Sequence, residues 1–174
     1  MPSGKTHDLI TLLLAPPTLL VAYLFTADLQ LSAIATGTML FGGLMFGPDL
    51  DIDSRPYKRW GPLRILWWPY RTFFPHRSRF THGIILGTLV RIAYFLLVIA
   101  LLLAIGLYLR ELWLGGAPRG EVILLAAATR VQTLLITLDR PSLLAIFLGL
   151  WWGAASHTIA DLFITTVKQI SKSL

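Results

Sequence analysis

Four histidines and a short run of aspartates are the residues whose types and spacing could do chemistry in this chain. Asp49, Asp51 and Asp53 alternate within Gly47-Pro48-Asp49-Leu50-Asp51-Ile52-Asp53, and His76 and His82 close the same segment in Pro75-His76-Arg77-Ser78-Arg79-Phe80-Thr81-His82-Gly83. In an extended stretch that alternation points all three carboxylates one way. They also follow an apolar run ending at Gly47-Pro48, where a helix C-terminus presents negative partial charge, so a cation must compensate them. Arg55, Lys58 and Arg59 can do so, with Pro-Asp acting as turn chemistry; this fits Asp53, the nearest to Arg55, better than Asp49 and Asp51. The other candidate cation is a metal ion. His157-Thr158-Ile159-Ala160-Asp161 places an imidazole and a carboxylate at i and i+4 on one helix face. Both can reach one ion, Asp161 can orient His157 from behind, or the pair simply ties helices together. With the other histidines near the same face, the metal reading is preferred.

No cysteine is present, so any metal must be held by His, Asp, Glu or backbone oxygen. Such donors suit zinc first, with manganese or magnesium as the other candidates. The expected ligands are His7, Asp49, Asp51, Asp53, His76, His82, His157 and Asp161. Asp8, beside His7, reads as favourable charge at a helix N-terminus.

The elements that must position these groups are membrane helices. The 174 residues are 55% hydrophobic and only 14% charged, with a mean hydropathy of +0.68, whereas soluble domains carry charge on about a quarter of their residues. The expected fold is all-α and polytopic, a single domain over 1–174. About four transmembrane helices are expected, near residues 9–27, 31–47, 83–109 and 142–166, each of bilayer-spanning length. The first reads as a retained helix, kinked at Pro16-Pro17. The second is rich in Gly, Ala, Ser and Thr, which permit close helix packing in lipid. Residues 48–82 form a long polar cytoplasmic segment between spans two and three. Residues 121–138 carry Arg130, Thr133 and Thr137 on one face and read as an interfacial helix.

A net charge of +6 and an isoelectric point near 10.1 raise nucleic acid as a partner. Inner-membrane proteins carry the same excess of Lys and Arg on the cytoplasmic side, so the expected partner is the lipid bilayer, with no nucleic acid. The mixed aromatics and arginines of the 48–82 segment read as an interfacial belt for the same reason. Arg77 and Arg79 could clamp a phosphate, and Arg91, inside the third span, could snorkel, pair with Asp161 or face a substrate anion.

Topology ties these readings together. With Lys5 and the basic segment inside, four crossings bring His7, Asp49, His76, His82, His157 and Asp161 to one cytoplasmic face; a crossing by 121–138 would move His157 and Asp161 to the other. The expected location is therefore the inner (plasma) membrane, multi-pass, with both termini cytoplasmic.

Taken in order, Thr6-His7, Pro48-Asp49-Leu50-Asp51, His76-Arg77 with Thr81-His82, and Ser156-His157-Thr158-Ile159-Ala160-Asp161 resemble the LexA-binding family of bacterial inner-membrane metal-dependent hydrolases. Arg55-Pro56-Tyr57-Lys58-Arg59-Trp60-Gly61-Pro62-Leu63-Arg64 and Pro75-His76-Arg77-Ser78 are closer still to a related group of bacterial, especially cyanobacterial, metal-binding membrane proteins. Two departures stand out. Ile52 occupies the place of a histidine that follows Asp-x-Asp in the hydrolases, and the His-Arg to Thr-His spacing is one residue longer. The distant similarity of those hydrolases to zinc-dependent phospholipases C and single-strand nucleases implies phosphoester hydrolysis.

The expected function is a metal-dependent membrane-bound hydrolase acting on a phosphoester such as a phospholipid. Asp51 and Arg77 would serve catalysis, and Arg77, Arg79 and Arg91 would bind the substrate. The alternatives are a non-catalytic metal-binding structural or assembly protein and, less favoured because the ligands gather at one face, a metal transporter.

Overall fold

Polar caps and tight turns cut the apolar runs into helices. The computed structural model describes residues 3–173, apart from the side chains of residues 168, 169 and 171–173. Among the described residues every regular element is helical. Helix α1 (Gly4–Thr26) begins where the Ser3 side chain accepts the Thr6 N–H, and it carries Pro16 and Pro17 inside. Ala27 turns the chain in the left-handed region at φ 50°, and Asp28 caps α2 (Leu29–Leu44) by accepting the Gln30 and Leu31 N–H groups at 2.7 and 3.1 Å. Caps of this kind satisfy the donors that a helix start leaves unpaired.

Beyond α2 the chain forms a 3-10 turn over Pro48–Asp51, then α3 (Arg55–Arg59), a second 3-10 stretch over Gly61–Trp67, α4 (Trp68–Phe73) and α5 (Arg79–His82). The long helices α6 (Leu86–Trp113), α7 (Gly120–Thr137) and α8 (Arg140–Ser173) follow. Five helical stretches among the described residues are long and apolar enough to cross a membrane, Gly120–Thr137 among them.

The chain divides into two compact units, residues 1–91 with 141–174, and residues 92–140. In the first, α1 and α2 form an antiparallel hairpin, with Thr11 against Gly43 near one end and Thr26 bonded to Ser32 near the other. Helix α8 runs alongside α2 in the same direction: Gly149 meets Ala35 and Thr38, Leu150 meets Gly42, and Gly153 meets Met39 and Gly43. A Cβ at Gly153 would overlap the Met39 carbonyl. Glycine there lets two backbones touch, the packing on which membrane helices rely.

The aromatic segment makes its own core. Phe46, Tyr57, Trp67 and Tyr70 are buried while Trp68, Phe73 and Phe80 are exposed. Ring contacts run from Phe46 to Trp67, from Trp67 to Tyr70 and from Tyr70 to Phe74, and Arg71 stacks 4.4 Å over Tyr57. An interfacial belt therefore describes only the exposed half of these residues. In the second unit, Thr129 and Thr133 bond carbonyls of their own helix one turn back, and Arg130 lines a small apolar hollow with Ile99, Leu102 and Leu103 of α6.

Candidate metal centre

The 3-10 turn over Pro48–Asp51 decides which aspartates can act together. It replaces the extended stretch expected from the alternation and separates Asp53 from the other two. Asp53 lies in the open, its carboxylate 3.0 Å from Lys58 Nζ, and the Lys58 ammonium holds it below the usual carboxylate range. It does not join the other expected ligands. Asp49 and Asp51 turn inward, the side chain of Asp51 fully buried.

Seven of the eight expected ligands come together. His7 Nε2 lies 3.2 Å from Asp161 Oδ1, and His157 Nε2 lies 3.9 Å from Asp161 Oδ2. Across from them, Asp49 Oδ1 is 3.3 Å from His82 Nε2, and Asp49 Oδ2 is 3.2 Å from His157 Nε2. Two groups of donors are compact enough to hold an ion each: His7, His157 and Asp161, and Asp49, His76 and His82, with ligand atoms in each group within 4.8 Å of one another. The two oxygens of Asp49 face one group each, so this carboxylate can bridge them. Asp51 belongs to neither group. Its Oδ1 lies 2.9 Å from His76 Nδ1 and its Oδ2 lies 3.7 Å from His82 Nδ1. That is the placement of a carboxylate that orients a ligating histidine, leaving Nε2 as the free lone pair.

The donor set fits a cation on a direct test. His7 Nδ1, Asp49 Oδ1, Asp51 Oδ2, His82 Nε2, both ring nitrogens of His157 and Asp161 Oδ1 are buried without a hydrogen-bond partner. Buried polar atoms nearly always have one. Here carboxylate oxygens and imidazole nitrogens sit 3.2 to 3.9 Å apart without hydrogen-bonding geometry. Lone pairs gathered in this way call for a shared positive charge, and His and Asp are the donors borderline and hard divalent ions take.

Three neighbouring features hold the ligands, and none was read as positioning from the sequence. Thr81 Oγ1 lies 3.0 Å from His82 Nδ1; if it accepts that N–H, Nε2 is left facing Asp49. Arg91, fully buried, donates to the Thr81 carbonyl at 2.7 Å and to Thr88 Oγ1 at 3.2 Å. It faces the Tyr70 hydroxyl, which burial pushes up. Its described bonds thus go to neither Asp161 nor an outside anion: they fix the strand of backbone that presents His82. A Cβ at Gly87 would lie 2.7 Å from the same carbonyl, so glycine is needed for that approach. The third feature is Asp8. Arg59 grips it with two bonds, Nη1 to Oδ1 at 2.8 Å and Nη2 to Oδ2 at 2.7 Å, and Arg55 Nη1 adds a contact at 2.7 Å. Arg59 also reaches the Leu44 carbonyl, so one guanidinium joins the start of α1 to the end of α2 beside His7. The i, i+4 spacing of Arg55 and Arg59 was the available signal; the spacing places both on one face of α3.

Arg77 and Arg79 are exposed on the segment between His76 and His82. Arg77 adopts φ 61°, a left-handed conformation that costs a non-glycine residue about 1 kcal/mol or more, and it reverses the chain directly after His76.

Residues 2–171 match the family described as "Uncharacterized metal-binding protein (DUF2227)". The chain belongs to this family. The membership covers nearly the whole chain and agrees with the His and Asp donor set just described. A 56-residue stretch is 45% identical to an "Uncharacterized protein" of Aquifex aeolicus (strain VF5), covering 32% of this chain and 39% of that protein. The chain thus spans about two-fifths of the length of that relative. No solved structure matches the chain.

Proposed function

We propose that this member of the DUF2227 metal-binding family is a membrane-bound, metal-dependent hydrolase of phosphoesters, phospholipids foremost. The observation that carries the reading is Asp49, whose two oxygens each face histidines of a different donor group. His7, His157 and Asp161 would hold one divalent ion, Asp49, His76 and His82 a second, with zinc the first candidate and manganese or magnesium the others. Bound ions of this kind supply Lewis acidity, acidifying a water and neutralising phosphoryl charge. The protein's own groups would do the rest. Asp51 Oδ2, buried without a hydrogen-bond partner and 3.7 Å from His82 Nδ1, would serve as the base. Arg77 and Arg79, exposed beside His76 and His82, would neutralise the phosphate. The resemblance to the LexA-binding hydrolases points the same way.

The helix directions put the ends bearing His7 and His157 on one side, and the Lys and Arg excess beside them is what favours a cytoplasmic site with both termini inside. Pro141 at the start of α8 lies with Thr26 and Leu31 near the α1–α2 turn, whereas His157 lies with His7 at the opposite end. The chain leaves the site through Arg91 and re-enters at Pro141, so residues 92–140 make one net crossing in this reading. An odd number of crossings there agrees with the reading of four crossings and an interfacial 121–138.

The test uses detergent-purified protein loaded with zinc or manganese and assayed on bis(p-nitrophenyl) phosphate and on phosphatidylglycerol. Metal-dependent release from either, lost in Asp51→Asn at metal concentrations that saturate the variant, is the expected result. No turnover of either by protein that holds its metal overturns the reading. In that case a structural metal pinning the 48–82 segment is favoured, as the burial of His7 and His157 also permits.

A further inference from the structure

We infer that the two donor groups have different duties. The group of His7, His157 and Asp161 keeps a permanent, structural ion, and the group of Asp49, His76 and His82 takes an exchangeable ion that meets outside anions. The groups differ in burial, in donor number and in the elements that supply them.

Burial separates them first. The side chains of His7 and His157 are 6% and 2% exposed, whereas that of His76 is 33% exposed. Donor number points the same way. Asp49 Oδ2, 3.2 Å from His157 Nε2, adds a fourth side chain to the buried group. Four protein donors are what zinc takes in structural sites, whereas catalytic sites supply three and keep a position open. Asp49 Oδ1, His76 and His82 make three. Asp51 stands behind the two histidines, facing Nδ1 of each, and does not add a fourth.

The supplying elements decide how each ion could leave. His7 stands at the start of α1, His157 and Asp161 in α8, and Asp49 in the turn after α2. An ion in that group is released only when these elements part, so its binding is coupled to the fold itself. The second group lies wholly within residues 49–82, with His76 between α4 and α5. Its ion can leave through a local opening of that one stretch, which needs far less than unfolding. Exposed Arg77 and Arg79 follow His76 in the chain, so an anion arriving at the open group meets a basic rim, and phosphate is the first candidate.

The choice of phosphate rests on the hydrolase reading above, while the division into a held and an exchangeable ion stands apart from it. The experiment treats detergent-purified, zinc-loaded protein with a chromophoric chelator and measures the metal released and the metal retained. One equivalent should pass to the chelator from the folded protein, and a second only when the protein is unfolded. His76→Ala should lack the exchangeable equivalent and keep the held one. His7→Ala should lose the held one and lower the melting temperature more than His76→Ala does; where it does not fold, the metal retained by His76→Ala decides. In cobalt-loaded protein, inorganic phosphate should shift the visible absorption of the exchangeable ion and leave that of the held ion unchanged. One equivalent in all, release of both at a single rate, or loss of the held equivalent in His76→Ala overturns the division. A phosphate response from the held ion does the same. Hydrolysis of bis(p-nitrophenyl) phosphate by the unaltered protein separates the two readings. Two classes of release without hydrolysis leave the division standing and remove the hydrolase; hydrolysis with a single class of release does the reverse.

Discussion

His7 and His157 stack face to face, their ring centroids 3.6 Å apart and their planes 7° from parallel. One stands at the start of α1 and the other deep in α8, and both turn Nε2 towards the carboxylate of Asp161. The stack sets the separation of two donors that share one acidic partner, while Asp49 connects His157 to the second group.

If the groups bind separately, His157→Ala and His82→Ala should remove different ions. Elemental analysis of the purified variants should show each retaining part of the metal of the unaltered protein, and the double variant little of it. Identical, complete loss in both single variants would argue for one ion shared by all seven residues.

Asp51 stands behind His76 and should act on affinity more than on stoichiometry. Asp51→Asn should weaken metal binding about 10- to 100-fold, the range found when a carboxylate supporting a ligating histidine is changed. Competition with a chromophoric chelator reads this directly. Unchanged affinity would leave Asp51 with no role in orienting His76.

A Thr81 Oγ1 that accepts from His82 Nδ1 would leave the His82 proton on Nδ1 and Nε2 free for an ion. Thr81→Val, close in shape, should lower affinity about tenfold, while Thr81→Ser restores it, as expected for a hydrogen bond to a ligand. The nitrogen chemical shifts of His82 should report a change of tautomer in the valine variant alone.

The Asp8 clamp is a matter of stability. Asp8→Asn should cost roughly 2 kcal/mol, the scale of hydrogen bonds to a charged group, seen as a lower melting temperature at unchanged metal stoichiometry. Arg59→Ala combined with Asp8→Asn should cost less than the sum of the two, because both remove the Arg59–Asp8 bonds, whereas the Leu44 and Arg55 contacts are lost in one variant each. Simple additivity would count against the pairing.

Asp53 supplies the contrast. It is exposed and paired with Lys58, so Asp53→Ala should leave metal affinity unchanged and stability within about 0.5 kcal/mol. A loss of metal comparable to that of His82→Ala would place it in the site after all.

Much of the centre was legible because its signals are local. The i, i+4 pair His157 and Asp161 shares a face wherever the helix goes, and the expected helical runs reappear with ends moved by a few residues. The first starts earlier, at Gly4, because Ser3 caps it; the second stops at Leu44 because the chain turns at Met45 into the Pro48–Asp51 turn. What could not be read was partner choice. Arg55 and Arg59 were available to the Asp49–Asp53 run and went to Asp8 instead, Arg91 went to Thr81, and the Trp67 and Tyr70 rings went inward where Trp68 went out.

By itself the sequence determined the helical, apolar class of the protein, the absence of thiolate ligands and the pool of His and Asp donors, since each follows from composition or from the period of a helix. The tertiary structure alone decided that Asp49 stands between two donor groups, that Asp51 supports a ligand and that Asp53 is left outside. Those outcomes depend on how closely α1, α2 and α8 approach at Gly43 and Gly153, and on a 3-10 turn that rotates Asp53 away. Distances between residues far apart in the chain are fixed by packing, and no local pattern encodes them.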